Sequence, residues 1–441
     1  MAILTIILSI AAIVLLITKL KLHPFLALLL VSIALGLLFG MKTELIISSI
    51  QDGFGGTLGK IGLVIILGVM IGAFLENSGG ALVLANKILS IIGQKRVATA
   101  MGIIGYIISI PVFSDSGFVL LSSLNRTLTK KAGLSLAGTA ISLGLGLSCT
   151  HALVPPTPGP VAAAGILNAD LALVMGIGLI AAGLALIAAL VFAHKVAARV
   201  FIDPGPLKEN DHTAKDHQPG LFLSSLPILI PVILIVLKSV TASSSAEGWY
   251  TIKQVLAFLG EPVIALLIGF ALCLLLPKKL DKNMLSTEGW VGKALKDSAT
   301  ILLVTGAGGI FGKILQNSDI AGMLGEALTQ SSIGIFLPFL LAAALKSAQG
   351  SSTVALITTA SVIAPLMATL GFTSEMDKAM VVVAIGAGSL VVSHVNDSFF
   401  WVVTQMSGMD VKTGYKLHTT GTFIIGTTAM IALYLMFCFF H

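Results

Sequence analysis

The chain has 441 residues, 56% of them hydrophobic and only 10% charged, with a mean hydropathy of +1.02. Soluble domains carry roughly 25% charged residues, so this composition excludes a protein that covers itself with a water-facing surface. The net charge of +6 does not point to nucleic acid, because the basic residues sit in short stretches between apolar runs and form no aromatic-interleaved basic face.

Apolar segments fall at about 2–18, 24–40, 61–78, 97–129, 133–168, 171–198, 221–240, 254–276, 297–315, 332–370, 378–407 and 419–440, which predicts an all-α polytopic membrane protein of about ten to twelve spans. The first segment lacks a basic leader and a small-residue cleavage site, so it reads as an uncleaved span. Residues 79–96 suit an amphipathic helix in the interface, with Lys87, Lys95 and Arg96 toward the headgroups. Segments 97–129, 133–168 and 332–370 each exceed one crossing and are interrupted. The interruptions at Ser114-Asp115-Ser116-Gly117 and around Gly350-Ser351-Ser352-Thr353 suit the tips of re-entrant hairpins. Those at Thr150–Pro160 and Ser393–Ser398 suit breaks within crossing helices, and four prolines within Pro155–Pro160 cannot continue a helix. Unwound backbone at membrane depth is tolerated only where protein buries it or where it lines a cavity. Cys149, Cys273 and Cys438 have no metal or redox spacing.

Charge placement predicts the topology. With the N-terminus outside and both hairpins returning to their own side, 19 of the 26 Lys and Arg residues fall in cytoplasmic segments; both termini then lie outside. The chain also repeats itself. The stretch that begins at Gly72 matches one that begins at Gly312, and His151 pairs with His394, each after a Gly-rich run. Five crossings plus one hairpin make a first repeat at 1–201, with its hairpin at about 97–129 and its broken helix at about 133–168. The hydrophilic linker 202–220 follows. A second repeat at 221–441 carries a hairpin at about 332–370 and a broken helix at about 378–407. An odd number of crossings inverts the second copy, the arrangement of secondary transporters.

Ionisable residues inside spans are functional candidates. Asp115, His151, Lys346, His394 and Asp397 all lie at or beside the four interruptions. Asp115, His151, His394 and Asp397 are the candidates for carrying a proton, Asp115 first. Three of them also have a structural alternative: helix capping for Asp115 and Asp397, a bond to a freed carbonyl for His151. Lys346 either attracts a carboxylate or snorkels to the interface, and Lys313 and Glu76 read as interfacial. Ser351, Ser352 and Thr353 offer hydroxyls to a carboxylate, while Asn396, Asp397, Ser398 and Thr157 suit a polyol. No P-loop, HExxH or GxSxG motif is present, which argues against an enzyme and against ATP-driven transport by this chain alone.

At His151–Pro160 and at Ser393-His394-Val395-Asn396-Asp397, together with GGTLGK at 55–60, NSGGA at 77–81, GSST at 350–353 and APL at 364–366, the chain closely resembles the gluconate permease family, the gluconate:proton symporters of the ion transporter superfamily. The resemblance spans essentially the full length. It implies a homodimer in the bacterial inner membrane, with a central scaffold and moving transport domains that carry two hairpins. It also implies a substrate site made of Ser114, Asp115, Ser116, Gly117, His151, Thr157, Gly159, Gly350, Ser351, Ser352, Thr353, His394, Asn396, Asp397 and Ser398. The expected activity is proton-coupled symport of a gluconate-like sugar acid by elevator-like alternating access, with no cofactor or metal. Sodium coupling, or glycerate or D-serine as substrate, are the alternatives within transport; an intramembrane enzyme or a passive channel are those outside it.

Overall fold

The computed structural model describes residues 8–9, 11–13, 15–17, 19–93, 96–205, 218–242, 250–318, 334–394 and 397–440. Asn396, Lys95, most of the linker 202–220 and the later part of the repeat copy that begins at Gly312 lie outside the described residues, as does much of the first expected span.

Every regular element among the described residues is helical. In chain order these are α1 (Pro24–Leu38), α2 (Thr43–Ser78), α3 (Gly80–Ile92), α4 (Val97–Ile108), α5 (Ser114–Lys131), α6 (Leu136–Leu153), α7 (Pro158–Leu167), α8 (Leu171–Lys195), α9 (Leu221–Ala242), α10 (Tyr250–Leu259), α11 (Pro262–Cys273) and α12 (Trp290–Asn317). There follow α13 (Phe336–Gln349), α14 (Ser352–Ile363), α15 (Glu375–Leu390), α16 (Ser398–Ser407) and α17 (Thr420–Phe440). A turn at Val411–Gly414 and a π-helical turn at Tyr415–Thr419 lead directly into α17.

Five helical runs among the described residues are long and apolar enough to cross a membrane, or seven if each of two bent pairs counts as one span. The ten to twelve spans expected include segments that lie outside the described residues, and several described segments fold as half-length helices: α4 and α14 have 12 residues each and α16 has 10, about 15–18 Å against a hydrocarbon core of about 30 Å. Segment 254–276 likewise bends by 67° between α10 and α11.

α2 reaches back to Thr43, well before the apolar segment that begins near 61. Asp52, Lys60 and the glycines between them fall in the gap between the apolar segments 24–40 and 61–78. Yet Ile46, Ser49, Gly53 and Thr57 recur at helical spacing on its covered side. That side packs along α12, the most extensive helix pairing among the described residues. A Cβ on Gly53 would stand 2.6 Å from the Gly309 carbonyl oxygen, and one on Gly309 would stand 2.3 Å from that of Gly53. The two backbones therefore touch where only glycine fits.

Two large apolar clusters divide the buried residues. One joins residues of α1, α2, α11 and α12; the other joins α3–α6, α8 and α15–α17. They meet where α7 packs on α2 and α14 packs on α12. Within the second cluster α4 lies on α6 and α13 on α15, and α8 lies against α17.

Candidate functional site

Four interruptions of helical structure lie between these elements. α4 ends at Ile108 and α5 starts at Ser114. α6 ends at Leu153, and α7 restarts with Pro158 at its first position, where the missing amide hydrogen is not needed. α13 ends on Gly350, whose φ of +89° is the left-handed conformation glycine adopts without strain. Ser351 then caps α14, its hydroxyl accepting from the Val354 amide at 3.3 Å. α15 stops at Leu390 and α16 begins at Ser398.

A cavity of about 380 Å³ opens among them. Phe113, Ser114 and Asp115 line it from the first tip, Ser148 and His151 from α6, and Lys346 and Gly350–Ile357 from the second tip, apart from Ala355 and Leu356. Leu390, Ser393 and Asp397–Phe399 line it from the second break, Thr422 from α17, and Thr300, Ile301 and Val304 from α12. First-turn residues of α5, α14 and α16 thus share one wall, and helix N-termini carry partial positive charge that favours an anion.

Lys346 is 2% exposed. It does not snorkel to an interface: its Nζ donates to Asp397 Oδ2 at 2.6 Å and to the Gly350 carbonyl at the tip. Asp397 carries the pair onward. Its Oδ1 accepts from the Phe399 amide at 3.1 Å, which caps α16, and its Oδ2 accepts from the Ser393 hydroxyl. That hydroxyl stands 3.1 Å from His418 Nε2, and the Ser393 amide donates to Thr422 Oγ1 at 3.2 Å. Asp115 is held differently. Phe113 occupies the cap position of α5, and Asp115 Oδ1 accepts from the Ser398 hydroxyl at 3.3 Å. His151 lies with its ring 5.7 Å from that of Phe113, and its Nδ1 is buried without a hydrogen-bond partner among the described residues.

Of the expected site residues, Ser114, Asp115, His151, Gly350, Ser351, Ser352, Thr353, Asp397 and Ser398 stand on this wall. Ser116, Gly117, Thr157, Gly159 and His394 do not, for local reasons. Ser116 and Gly117 continue α5 away from the tip, and a Cβ on Gly117 would sit 2.8 Å from Leu147. The Thr157 hydroxyl donates to the Val154 carbonyl at 2.6 Å, which closes the turn it belongs to. Gly159 gives α7 room against Leu356 of α14. His394 Nε2 donates to the Ser347 carbonyl at 2.9 Å and its ring stacks on Tyr415. Conversely, Ser148, Thr300, Ser393, His418 and Thr422 belong to the wall or its hydrogen-bond network without having been singled out. For His418 the sequence held a signal, an ionisable residue beside a long apolar run.

A second cavity, of about 520 Å³, lies farther along the same helices. Asp52 and Lys60 of α2, Asn168, Gly308, Lys313 and Gln316 of α12, Ala364 and Lys378 line it. Lys313, expected at the interface, is also a wall residue of this cavity. Lys60 Nζ donates to Asn168 Oδ1 at 2.8 Å, Lys313 to Gln316 Oε1 at 3.1 Å, and Lys378 pairs with Glu375 at 2.6 Å.

Comparison with known proteins places this arrangement. The gluconate permease of Pseudomonas aeruginosa is 33% identical over 97% of this chain and 96% of its own length. The D-serine transporter DsdX of Escherichia coli is also 33% identical, over 98% and 97%. Among solved structures, the YdaH transporter of Alcanivorax borkumensis superposes with a TM-score of 0.68 over 95% of this chain and 99% of that one, at 14% identity. The fold is thus shared with a transporter far beyond recognisable sequence likeness. A model of the GntP family permeases matches residues 1–439, and the chain belongs to that family of multi-pass membrane transporters.

Proposed function

We propose that the protein is a secondary transporter that carries a small hydroxy-carboxylate of the gluconate type into the cell together with a proton. The observation that carries this reading is Lys346, a buried ammonium on the wall of a cavity whose other polar lining is His151, several hydroxyls and two carboxylates, set among apolar side chains. Its volume lies within the range of about 300–1,000 Å³ that holds small-molecule ligands. The carboxylate meets Lys346 and the first turn of α14; the polyol meets Ser114, Ser351, Thr353 and Ser398. Asp115 and Asp397 are the proton carriers within reach, and His151 stands beside them.

Alternating access through two inverted repeats, 1–201 and 221–441 joined by the linker 202–220, fits the recurrence of packing. α4 lies on α6 as α13 lies on α15; α6 lies on α8 as α15 lies on α17; and α5 meets α16 as α14 meets α7. On this reading the tips and broken helices form a transport domain that moves like an elevator. α2 and α12 anchor a scaffold, and a homodimer holds the scaffolds together. The protein sits in the bacterial inner membrane with both termini outside.

A second substrate class is favoured by one feature. Asp115 is a wall carboxylate without a cationic partner within ion-pair distance among the described residues, which suits the ammonium of a small hydroxy amino acid, and one relative transports D-serine. Uptake of labelled gluconate into proteoliposomes under an inward proton gradient, with and without sodium, and with glycerate and D-serine as competitors, tests the reading. Proton-driven accumulation supports it. Sodium-driven accumulation removes the proton, and equilibration without accumulation makes the protein a channel.

A further inference from the structure

We propose that Asp397 occupies, in the empty protein, the place of the substrate carboxylate on Lys346, and that this substitution couples one proton to one anion. The proposal rests on the transport reading above and assigns its carboxylate anchor and its proton.

The argument starts from the geometry of one ammonium. Lys346 is almost wholly buried, and its Nζ is held between Asp397 Oδ2 at 2.6 Å and the Gly350 carbonyl. Both Lys346 and Asp397 also face the cavity. Among the described residues Lys346 is the one lysine or arginine on that wall, and it is the point charge there for an incoming carboxylate to meet. The position it must take is already filled by a carboxylate of the protein.

Four states of this pair follow. With neither proton nor substrate, Lys346 is compensated by Asp397. With substrate alone, two carboxylates compete for one ammonium beside the further charge of Asp115. With a proton alone on Asp397, the buried ammonium loses the carboxylate bonded to it and keeps only the unbonded charge of Asp115 on the same wall. Both of these mixed states pay a desolvation penalty that the low-dielectric site makes large. With both, the substrate replaces Asp397 on Lys346 and the neutral Asp397 keeps its bonds to Ser393 and to the Phe399 amide. The cavity then carries the same net charge loaded as empty. Only in the doubly loaded and the empty forms does Lys346 keep one ionised carboxylate bonded to it without a second competing for it, and those are the two forms a symporter must be able to move.

The neighbours on every side are consistent with this assignment. Asp115 of α5 is bonded to Ser398 and not to Lys346, so its charge is common to both forms. His151 of α6 lines the cavity without an ion pair to Asp397. His418 reaches Asp397 only through the Ser393 hydroxyl, and His394 is turned to the Ser347 carbonyl. The same bonds make the exchange a signal to the fold, because Lys346 belongs to the second tip and Asp397 to the second break, so the loaded and empty forms differ in what ties these two elements together.

The test uses purified full-length protein in proteoliposomes with labelled gluconate. For the wild type, a pH gradient at clamped zero potential drives accumulation, while a membrane potential of either sign at equal pH drives none, because one proton and one monovalent anion move together. Asp397→Asn loses pH-driven accumulation, and its gluconate–gluconate exchange no longer varies with pH. Lys346→Gln loses exchange by 100-fold or more, and Lys346→Gln combined with Asp397→Asn, which removes both charges together, stays folded in detergent yet does not regain exchange. Accumulation driven by potential, or by the pH gradient in Asp397→Asn, overturns the proposal and leaves the transport reading standing. A wild type that moves none of gluconate, glycerate and D-serine overturns both.

Discussion

The two cavity carboxylates differ in what holds them, and that difference predicts different phenotypes. Asp397 is tied to Lys346, Ser393 and the Phe399 amide, whereas among the described residues Asp115 has only the Ser398 hydroxyl at 3.3 Å as a side-chain partner. Asp115→Asn therefore removes a like charge from the path of an anion without disturbing its anchor. It should lower the KM for gluconate by about three- to tenfold, the effect of one screened like charge nearby, and retain proton-driven accumulation; loss of accumulation would move the proton to Asp115. The buried pair also carries a stability signature. Lys346→Met alone leaves Asp397 buried and unpaired and should cost about 3–5 kcal/mol in thermal unfolding, while Lys346→Met with Asp397→Asn recovers most of it. Much of this site was legible as sequence. Asp115, His151, Lys346 and Asp397 stood out as ionisable residues in apolar segments, and that signal survives without tertiary knowledge. What was not legible is which of them touch. Lys346 and Asp397 are 51 residues apart and meet only because α13 and α16 end at the same place. Ser116, Gly117, Thr157 and Gly159, which the family resemblance implied for the site, lie off this wall; on α5 each step turns the side chain by about 100°, and Thr157 turns its hydroxyl to the Val154 carbonyl. His418 was passed over because the π-helical turn at Tyr415–Thr419 carries the last span past its apolar boundary.

Interruptions of helices were more legible than their beginnings. Prolines at 155, 156, 158 and 160 and the Gly350-Ser351-Ser352 run announce their breaks through backbone chemistry alone. The start of α2 was hidden because Asp52, Lys60 and the glycines around them lower its hydropathy, and its covered face becomes visible only against α12. The same helices explain how the tips are seated. A Cβ on Gly72 of α2 would lie 2.4 Å from the Pro111 carbonyl oxygen at the first tip, and one on Gly68 would lie 2.9 Å from that of Pro156 at the first break. On α12, by contrast, a Cβ on Gly312 would stand 3.4 Å from the Ser361 carbonyl oxygen, an ordinary contact. These positions look equivalent in the repeated sequence but are not equivalent in space. Gly72→Ala should therefore push the first tip off α2 and cut the gluconate uptake rate at least tenfold, while Gly312→Ala keeps it within about twofold. Expression and detergent stability of both proteins separate a transport defect from a folding one. Equal rates for the two would mean that the tip does not bear on α2 during transport.

At the scale of the whole molecule, the two cavities lie along one course. The first is lined by α12 as far as Val304 and by α14 as far as Ile357; the second begins at Gly308 of α12 and at Ala364 just beyond α14. What separates them is the contact of α14 with α12, where a Cβ on Gly308 would stand 2.4 Å from the Ser361 hydroxyl. Sliding α14 past α12 would join the two spaces, so the alternating access proposed above would make the second cavity the approach to the first from the other side. Its charge then matters. Lys60 and Lys313 are held by the neutral side chains of Asn168 and Gln316, Lys378 is offset by Glu375, and Asp52 opposes them on the same wall. Two positive charges without a salt-bridge partner among the described residues draw anions toward the opening, and exposed charges act over roughly a Debye length. Lys60→Gln with Lys313→Gln should therefore raise the KM for gluconate by about two- to threefold per charge at 10 mM salt and have little effect near 0.5 M, where the Debye length has fallen to a few ångströms. A pair of substitutions inside the binding cavity would weaken uptake at every ionic strength. Salt dependence is thus the reading that separates an approach from a site. If the double variant is equally impaired at both salt concentrations, these lysines touch the bound substrate and the second cavity is part of the binding site itself.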